Sequence, residues 1–291
     1  MDLRLSDAEK VFIIHGVQEG VRNDGRSCGD YRPMWVECGV LATTDGSARV
    51  RIGDTDVLCG VKCELVECED TSKETERLMF SVDCSANASP QFIGKGGDDY
   101  AEELADALHF SYDNDCSIPD IAKLTITSTH YWRLNVDVVI LQYGGSIVDA
   151  AAVAAKAALY DTEVVGLLTR RADEKKMSVE LPEGGATWRI DVSRAPLISS
   201  VSKIGSINVV DVTPQEEACS FAALWVGASV QKASADPLVT MTRQTGGGSL
   251  DAASINDMVQ MGVNAVARLN SQLMEQLAVD NKRFPGQTFL S

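Results

Sequence analysis

Apolar residues recur mostly at three- and four-residue steps from Leu5 to Glu19, at Leu5, Ala8, Val11, Phe12 and Val17. That spacing predicts a helix, with Ser6 or Asp7 as its cap. Asn23-Asp24-Gly25-Arg26 breaks the pattern as a turn. Four runs rich in β-branched and aromatic residues follow, Trp35 to Leu41, Ala48 to Ile52, Thr55 to Leu65 and Leu78 to Cys84. Asp45-Gly46-Ser47 and Gly53-Asp54 between them are hairpin signals, so the pattern predicts an antiparallel meander. Cys68 to Arg77 is polar and charge-dense and reads as an exposed loop.

Past Gly94-Lys95-Gly96-Gly97, residues Asp98 to Phe110 carry Leu104, Leu108 and several alanines at helical spacing, with acids in the first turn. A strand from Trp132 to Gln142 comes next, and Gly144-Gly145-Ser146 leads into an alanine-rich helix from Ile147 to Tyr160. The second half reads as strand Val164 to Leu168, a charged loop Arg170 to Lys176, and strands near Met177 to Leu181, Trp188 to Val192, Leu197 to Lys203 and Ile207 to Val212. Strands Ala218 to Val226 and Leu238 to Thr242 precede a final helix from Asp251 to about Asp280, with Ile255, Met258, Val259, Val263, Val266, Leu269, Leu273 and Leu277 on one face. Strands followed by a long helix, twice over, predict an α+β fold with mixed sheets, helices packed on the sheet faces and two similar β-rich halves, residues 1–196 and 197–291.

Composition narrows the class. The 291 residues are 45% hydrophobic and 23% charged, an ordinary globular balance. No apolar run reaches the roughly 18 residues of a membrane span, and the start has neither an apolar nor an Arg-rich leader, so a soluble chain without membrane partners is expected. Eight cysteines without a Cys-x2-Cys pair suggest a reducing compartment; Cys59 and Cys63 share one face of a strand and read as small buried hydrophobes. His15, His109 and His130 stand alone, so no metal site and no cofactor are predicted. The net charge of −16 (26 Lys plus Arg, 42 Asp plus Glu) would repel RNA unless a local basic patch works inside a larger assembly.

Common catalytic frames fail. Asp99 and Asp251 stand where a dinucleotide fingerprint after Gly94-x-Gly96 or Gly246-x-Gly248 needs its third glycine. Lys95 lacks the Walker frame, and no Gly-x-Ser-x-Gly elbow exists.

Four blocks in order resemble ribonuclease PH-like proteins: Arg22-Asn23-Asp24-Gly25-Arg26; Gly46-Ser47-Ala48-Arg49-Val50 with Asp54-Thr55-Asp56-Val57-Leu58; Gly144-Gly145-Ser146 entering a helix; and Asp211-Val212-Thr213-Pro214-Gln215-Glu216-Glu217. Leu5-Ser6-Asp7-Ala8-Glu9-Lys10, Val82 to Ala86 and Gln215 to Cys219 are similar to the group of eukaryotic exosome ring subunits called exosome component seven. The resemblance implies the ribonuclease PH fold and a hexameric ring with other ribonuclease PH-like exosome subunits, capped by S1 and KH domain proteins, through whose channel RNA is threaded for rRNA processing and mRNA decay. It also implies a nuclear and nucleolar as well as cytoplasmic location. In active relatives inorganic phosphate attacks the RNA 3′ end, held by a Gly-Gly-Thr/Ser-Arg loop, with two aspartates six residues apart assisting through metal or proton transfer.

Against that pattern the chain is degenerate. Ile147 replaces the phosphate-binding arginine, Asp149 adds a negative charge, and Glu217 replaces the second aspartate after Asp211. The helix after Gly97 offers Asp99 and Tyr100 where active relatives carry basic residues. The loop Gly144, Gly145 and Ser146 is therefore expected to be architectural, with Ser146 capping the helix, Asp149 closing a capping-box-like pair and the glycines allowing close packing. Asp211 and Glu217 are expected to be a vestigial acidic pair, Asp211 doubling as a turn residue. No catalytic residue is assigned. Lys73, Arg77 and Lys95, on loops that could face the channel, are the candidate RNA contacts. The expected function is a non-catalytic exosome ring subunit. An active phosphorolytic 3′ to 5′ exoribonuclease is the alternative, and a free-standing RNA-binding adaptor conflicts with the acidic charge. Ala218 to Val226 is the expected exposed edge for a neighbour.

Overall fold

The computed structural model describes residues 5–68, 71, 76–113, 118–173, 176–180, 186–230 and 237–283. Helix α1 (Asp7–Gln18) starts at a full capping box: Ser6 Oγ accepts the Glu9 N–H, and Glu9 accepts the Ser6 N–H at 2.7 Å. Its Val17 packs with Ile204, Val209 and Val212 in a small satellite core.

The first sheet holds β1 (Met34–Cys38), β2 (Gly46–Ile52), β3 (Thr55–Glu67), β4 (Leu78–Cys84) and β5 (His130–Gln142) in the order β1-β2-β3-β5-β4. The first three form the expected antiparallel meander, with Gly53 at φ 56° turning β2 into β3. β4 departs from it. It skips β3 and pairs in parallel with the far side of β5, Leu78 opposite Leu134. The crossover between them includes α2 (Lys95–Tyr112), which packs under β4, as a parallel connection requires.

Helix α3 (Ile147–Asp161) is buried from Ile147 to Leu159 because its alanines let it lie against both the first sheet and β10. After it come two-stranded pairs, β6 (Glu163–Val165) with β9 (Thr187–Arg189), and β7 (Leu168–Asp173) with β8 (Lys176–Glu180). The latter hairpin includes much of the Arg170 to Lys176 stretch expected to be a loop: its backbone pairs in an antiparallel ladder, which a lack of apolar period in the sequence does not exclude.

The second sheet, β11-β10-β12-β13, is formed by β10 (Leu197–Ile204), β11 (Ile207–Val210), β12 (Ala222–Ser229) and β13 (Leu238–Thr245). A short helix α4 (Pro214–Glu217) occupies the stretch just before the Ala218 to Val226 run, so the strand begins at Ala222. The expected edge there is wrong: β12 is hydrogen-bonded on both sides, to β10 and β13, and the outer strands of the sheet are β13 and β11, whose Val210 N–H donates to the Cys28 carbonyl (2.8 Å). Helix α5 (Ala252–Arg283) packs on β10, β11 and β12, with Gly262 meeting Val226 so closely that a Cβ there would lie 2.8 Å from it. One continuous core links both sheets, α2, α3 and α5. It contains Lys156, whose Nζ donates to the Ala195 carbonyl (2.5 Å) and to Asn270 Oδ1 (2.6 Å); burial pushes its ammonium down to about 7, with Asp191 opposing.

Candidate functional site

Three segments distant in sequence converge beside the start of α3: the Arg22 to Arg32 strap, the Gly144-Gly145-Ser146 loop, and the Asp211 to Glu217 connection from β11 into α4. Asp211 is fully buried and left-handed at φ 48°. Such a backbone costs a non-glycine residue about 1–2 kcal/mol, and here it aims the carboxylate back at the strap. The carboxylate accepts the Arg32 N–H (2.6 Å), Arg32 Nε (3.0 Å), Arg32 Nη2 (2.7 Å) and Arg26 Nη1 (2.9 Å). Asp211's own carbonyl accepts Arg22 Nη2 and Arg26 Nη2. Arg22, buried, grips Glu216 through Nε (2.8 Å) and Nη2 (2.6 Å), and Glu216 also closes a capping box with Thr213. The Arg22-Asn23-Asp24-Gly25-Arg26 block is thus an ion-paired strap that holds the N-terminal segment on the second sheet.

The loop is pinned by the same strap. Arg32 Nη1 donates to the Gly144 carbonyl (2.5 Å), and the Gly145 carbonyl accepts Arg32 Nη2 (3.2 Å) and Thr55 Oγ1 (2.6 Å). A Cβ on Gly144 would lie 2.6 Å from the backbone between Asp54 and Thr55, and one on Gly145, at φ 88°, would strike the Val212 carbonyl. The glycines allow close packing, as expected from sequence.

The capping expectation fails. Ser146 is left-handed at φ 49°, and its Oγ donates to the Val212 carbonyl (3.3 Å) instead of accepting a helix N–H. Asp149 closes no box either; it accepts Tyr31 Oη (2.7 Å), the Ser200 N–H (3.1 Å) and Ser200 Oγ (2.5 Å). The cause is burial: the 211–214 connection packs over the loop, so its partners come from other elements. That burial pushes the Asp149 carboxyl up to about 7, the Ser200 and Tyr31 hydrogen bonds opposing. Ile147, at the arginine position, is a core residue at 2% exposure.

Glu217 points elsewhere. It accepts Tyr143 Oη at 2.9 Å and faces a shallow cleft of about 180 Å3 walled by Gln91, Phe92, Gly96, Tyr100 and Tyr143. Phe92 stacks on Tyr100 with centroids 5.7 Å apart and meets Tyr143 edge-on at 6.1 Å. Burial pushes the Glu217 carboxyl up, with the Tyr143 hydroxyl and Arg32 opposing. The six-residue acidic spacing therefore does not fit a shared divalent ion: Asp211 is filled by two guanidinium groups, and Glu217 turns to a tyrosine. Among the described residues no cluster of three or more His, Cys, Asp and Glu is arranged to hold a metal.

Of the expected RNA contacts, Lys95 is exposed as the first residue of α2. Arg77 is half-buried, donating through Nη2 to Thr125 Oγ1 (2.9 Å), and Lys73 lies outside the described residues. The structure brings neither described residue to the Asp211 hub. Sequence reasoning missed Arg32, Tyr31, Tyr143 and the Arg22–Glu216 pair. Only Thr213-Pro214-Gln215-Glu216 carried a readable signal, as a capping box.

Comparison with known proteins agrees with this architecture. Residues 30–164 match the family described as 3′ exoribonuclease family, domain 1. The exosome complex component Rrp42 of Sulfurisphaera tokodaii is 30% identical over 92% of this chain and 94% of its own length. A Dictyostelium discoideum protein, provisionally described as exosome complex exonuclease RRP42, is 28% identical over 94% of this chain and 98% of its own. The solved structure of an Archaeoglobus fulgidus exosome with RNA bound to the active site includes a chain with the same fold, at TM-score 0.75 and 23% identity, over 91% of this chain and 98% of that one. The fold, the ordered motifs and the near-full-length identity converge: the chain belongs to the ribonuclease PH family, among its Rrp42-type members.

Proposed function

We propose that the protein is a ring subunit of an RNA exosome that does not itself catalyse phosphorolysis. It helps form the hexameric ring with other ribonuclease PH-like subunits, under S1 and KH cap proteins, and so lines the channel that threads RNA for 3′ to 5′ processing, rRNA maturation and mRNA turnover in nucleus, nucleolus and cytoplasm. The observation that carries the reading is the saturated Asp211 carboxylate, held by Arg26 and Arg32 where an active site needs a free acid. The core position of Ile147 removes the phosphate partner as well. Arg77, Lys95 and Lys73 supply phosphate contacts without sequence preference inside the assembled ring, which answers the net charge of −16. The edges of β4 and β13, unpaired among the described residues, are the surfaces offered to neighbours.

The Dictyostelium relative's description as an exonuclease favours a second reading, an active phosphorolytic 3′ to 5′ exoribonuclease. A labelled single-stranded RNA, incubated with the purified chain, magnesium and phosphate, separates the two. No release of nucleoside diphosphates is expected. Phosphate-dependent shortening abolished by Asp211→Asn would overturn the non-catalytic reading. Co-expression with ring subunits should give a hetero-oligomer, and a stable homohexamer of this chain alone would count against the subunit assignment.

A further inference from the structure

The cleft at Glu217 has the opposite chemistry to a phosphate site. Its six lining residues, Gln91, Phe92, Gly96, Tyr100, Tyr143 and Glu217, include one carboxylate, three aromatic rings and no Lys or Arg. Glu217 uses one oxygen for Tyr143 Oη, and its other oxygen accepts no hydrogen bond among the described residues. Arg32, the guanidinium whose charge acts on Glu217, is committed to Asp211 and the carbonyls of Gly144 and Gly145. The Tyr100 hydroxyl has no protein partner among the described residues, although its ring is fixed by stacking on Phe92.

A carboxylate bordered by aromatic rings attracts organic cations, through the ring faces and through charge-assisted hydrogen bonds together. The N-terminus of α2 opposes this with a partial positive charge, a single and weaker effect. One carboxylate is too few oxygens for a hard divalent ion, and a phosphate would meet Glu217 directly. A planar guanidinium uses both features, forking onto the carboxylate while lying along a ring. The rim suits a polypeptide. Ile93, 69% exposed, follows Phe92, and at the start of α2 the exposed Asp98 and Asp99 outweigh the one exposed cation, Lys95.

We propose that this cleft is a guanidinium-accepting box that receives an arginine side chain presented by a partner protein. The inference rests on the reading above in one respect, that the cleft does not serve phosphate.

The test is a titration of the full chain, carrying 13C-labelled tyrosine rings, with Nα-acetylarginine methylamide, with the neutral isostere acetylcitrulline methylamide, and with inorganic phosphate. The arginine probe should produce saturable shifts in Tyr100 and Tyr143, with a Kd of about 1 mM expected for one side chain. Glu217→Gln, which keeps an acceptor for Tyr143, should weaken it at least about tenfold, a loss of about 1.4 kcal/mol. Tyr100→Leu should do the same by removing the ring. Equal shifts from citrulline, or no shift from any probe, would overturn the box and leave the ring-subunit reading standing. Phosphate shifting the same two tyrosines would overturn the box, and a release of nucleoside diphosphates alongside it would overturn the ring-subunit reading as well.

Discussion

Asp211 and Glu217 lie six residues apart on one connection and have opposite surroundings. Asp211 is buried among two guanidinium groups and a backbone N–H, whereas among the described residues Glu217 has one tyrosine hydroxyl and no ion pair. Two acids on one connection therefore need not share one environment. What each does is set by which charges the fold delivers to it, and here the arginine strap claims one acid and leaves the other to an aromatic cleft.

The largest effect should come from breaking the strap. Asp211→Ala takes from Arg32 the carboxylate it is paired with and leaves Arg26 only Asp24, and losing one side of a buried pair costs about 3–5 kcal/mol, read as a lower urea midpoint. Ile147→Arg, the substitution that restores the family's loop on paper, should destabilise by a similar amount, because position 147 is core and the charge would be unpaired. A folded Ile147→Arg variant with gained phosphate binding would show the loop to be open after all.

Asp149 sharpens the comparison as a buried carboxylate held by neutral donors. Its folded value, raised from 3.8 to about 7, means that the native state binds the extra proton, so this contribution to stability is full below 3.8 and is lost as pH rises to about 7. Asp149→Asn should flatten that limb in unfolding measured across pH. Lys156, lowered from 10.5 to about 7, has the opposite slope: stability should rise with pH between about 7 and 10.5, and Lys156→Met should remove the rise.

The smallest effect belongs to Glu217. Its carboxyl is raised by burial, so its charged form costs stability as pH climbs past the folded value, and Glu217→Gln should be neutral or stabilising by up to about 1 kcal/mol at neutral pH. A loss as large as that of Asp211→Ala would erase the distinction between the two acids.

Much of the fold was legible because burial has a local signature. The Ser6 cap, the β2–β3 hairpin, the alanine helix α3 and the stripe of α5 follow from periodicity, turn chemistry and capping within a few residues. The presence of Ile147 and Glu217 was equally plain, since these are residue identities. The edge assigned to Ala218 to Val226 was not legible: an apolar run reports that a strand is buried, not which strands flank it. The same limit hid β4's parallel seat beyond β5.

By itself, then, the sequence determined most of the elements, the family and the isoleucine that opens α3 after Gly144-Gly145-Ser146. Only the tertiary structure decided that Arg32 meets Asp211 across 179 residues, that Ser146 faces Val212 instead of its own helix, and that Glu217 looks into a tyrosine-lined cleft. Periodicity encodes which side of an element turns inward; ion pairs and hydrogen bonds between distant segments depend on how the layers stack, and no local pattern carries that information.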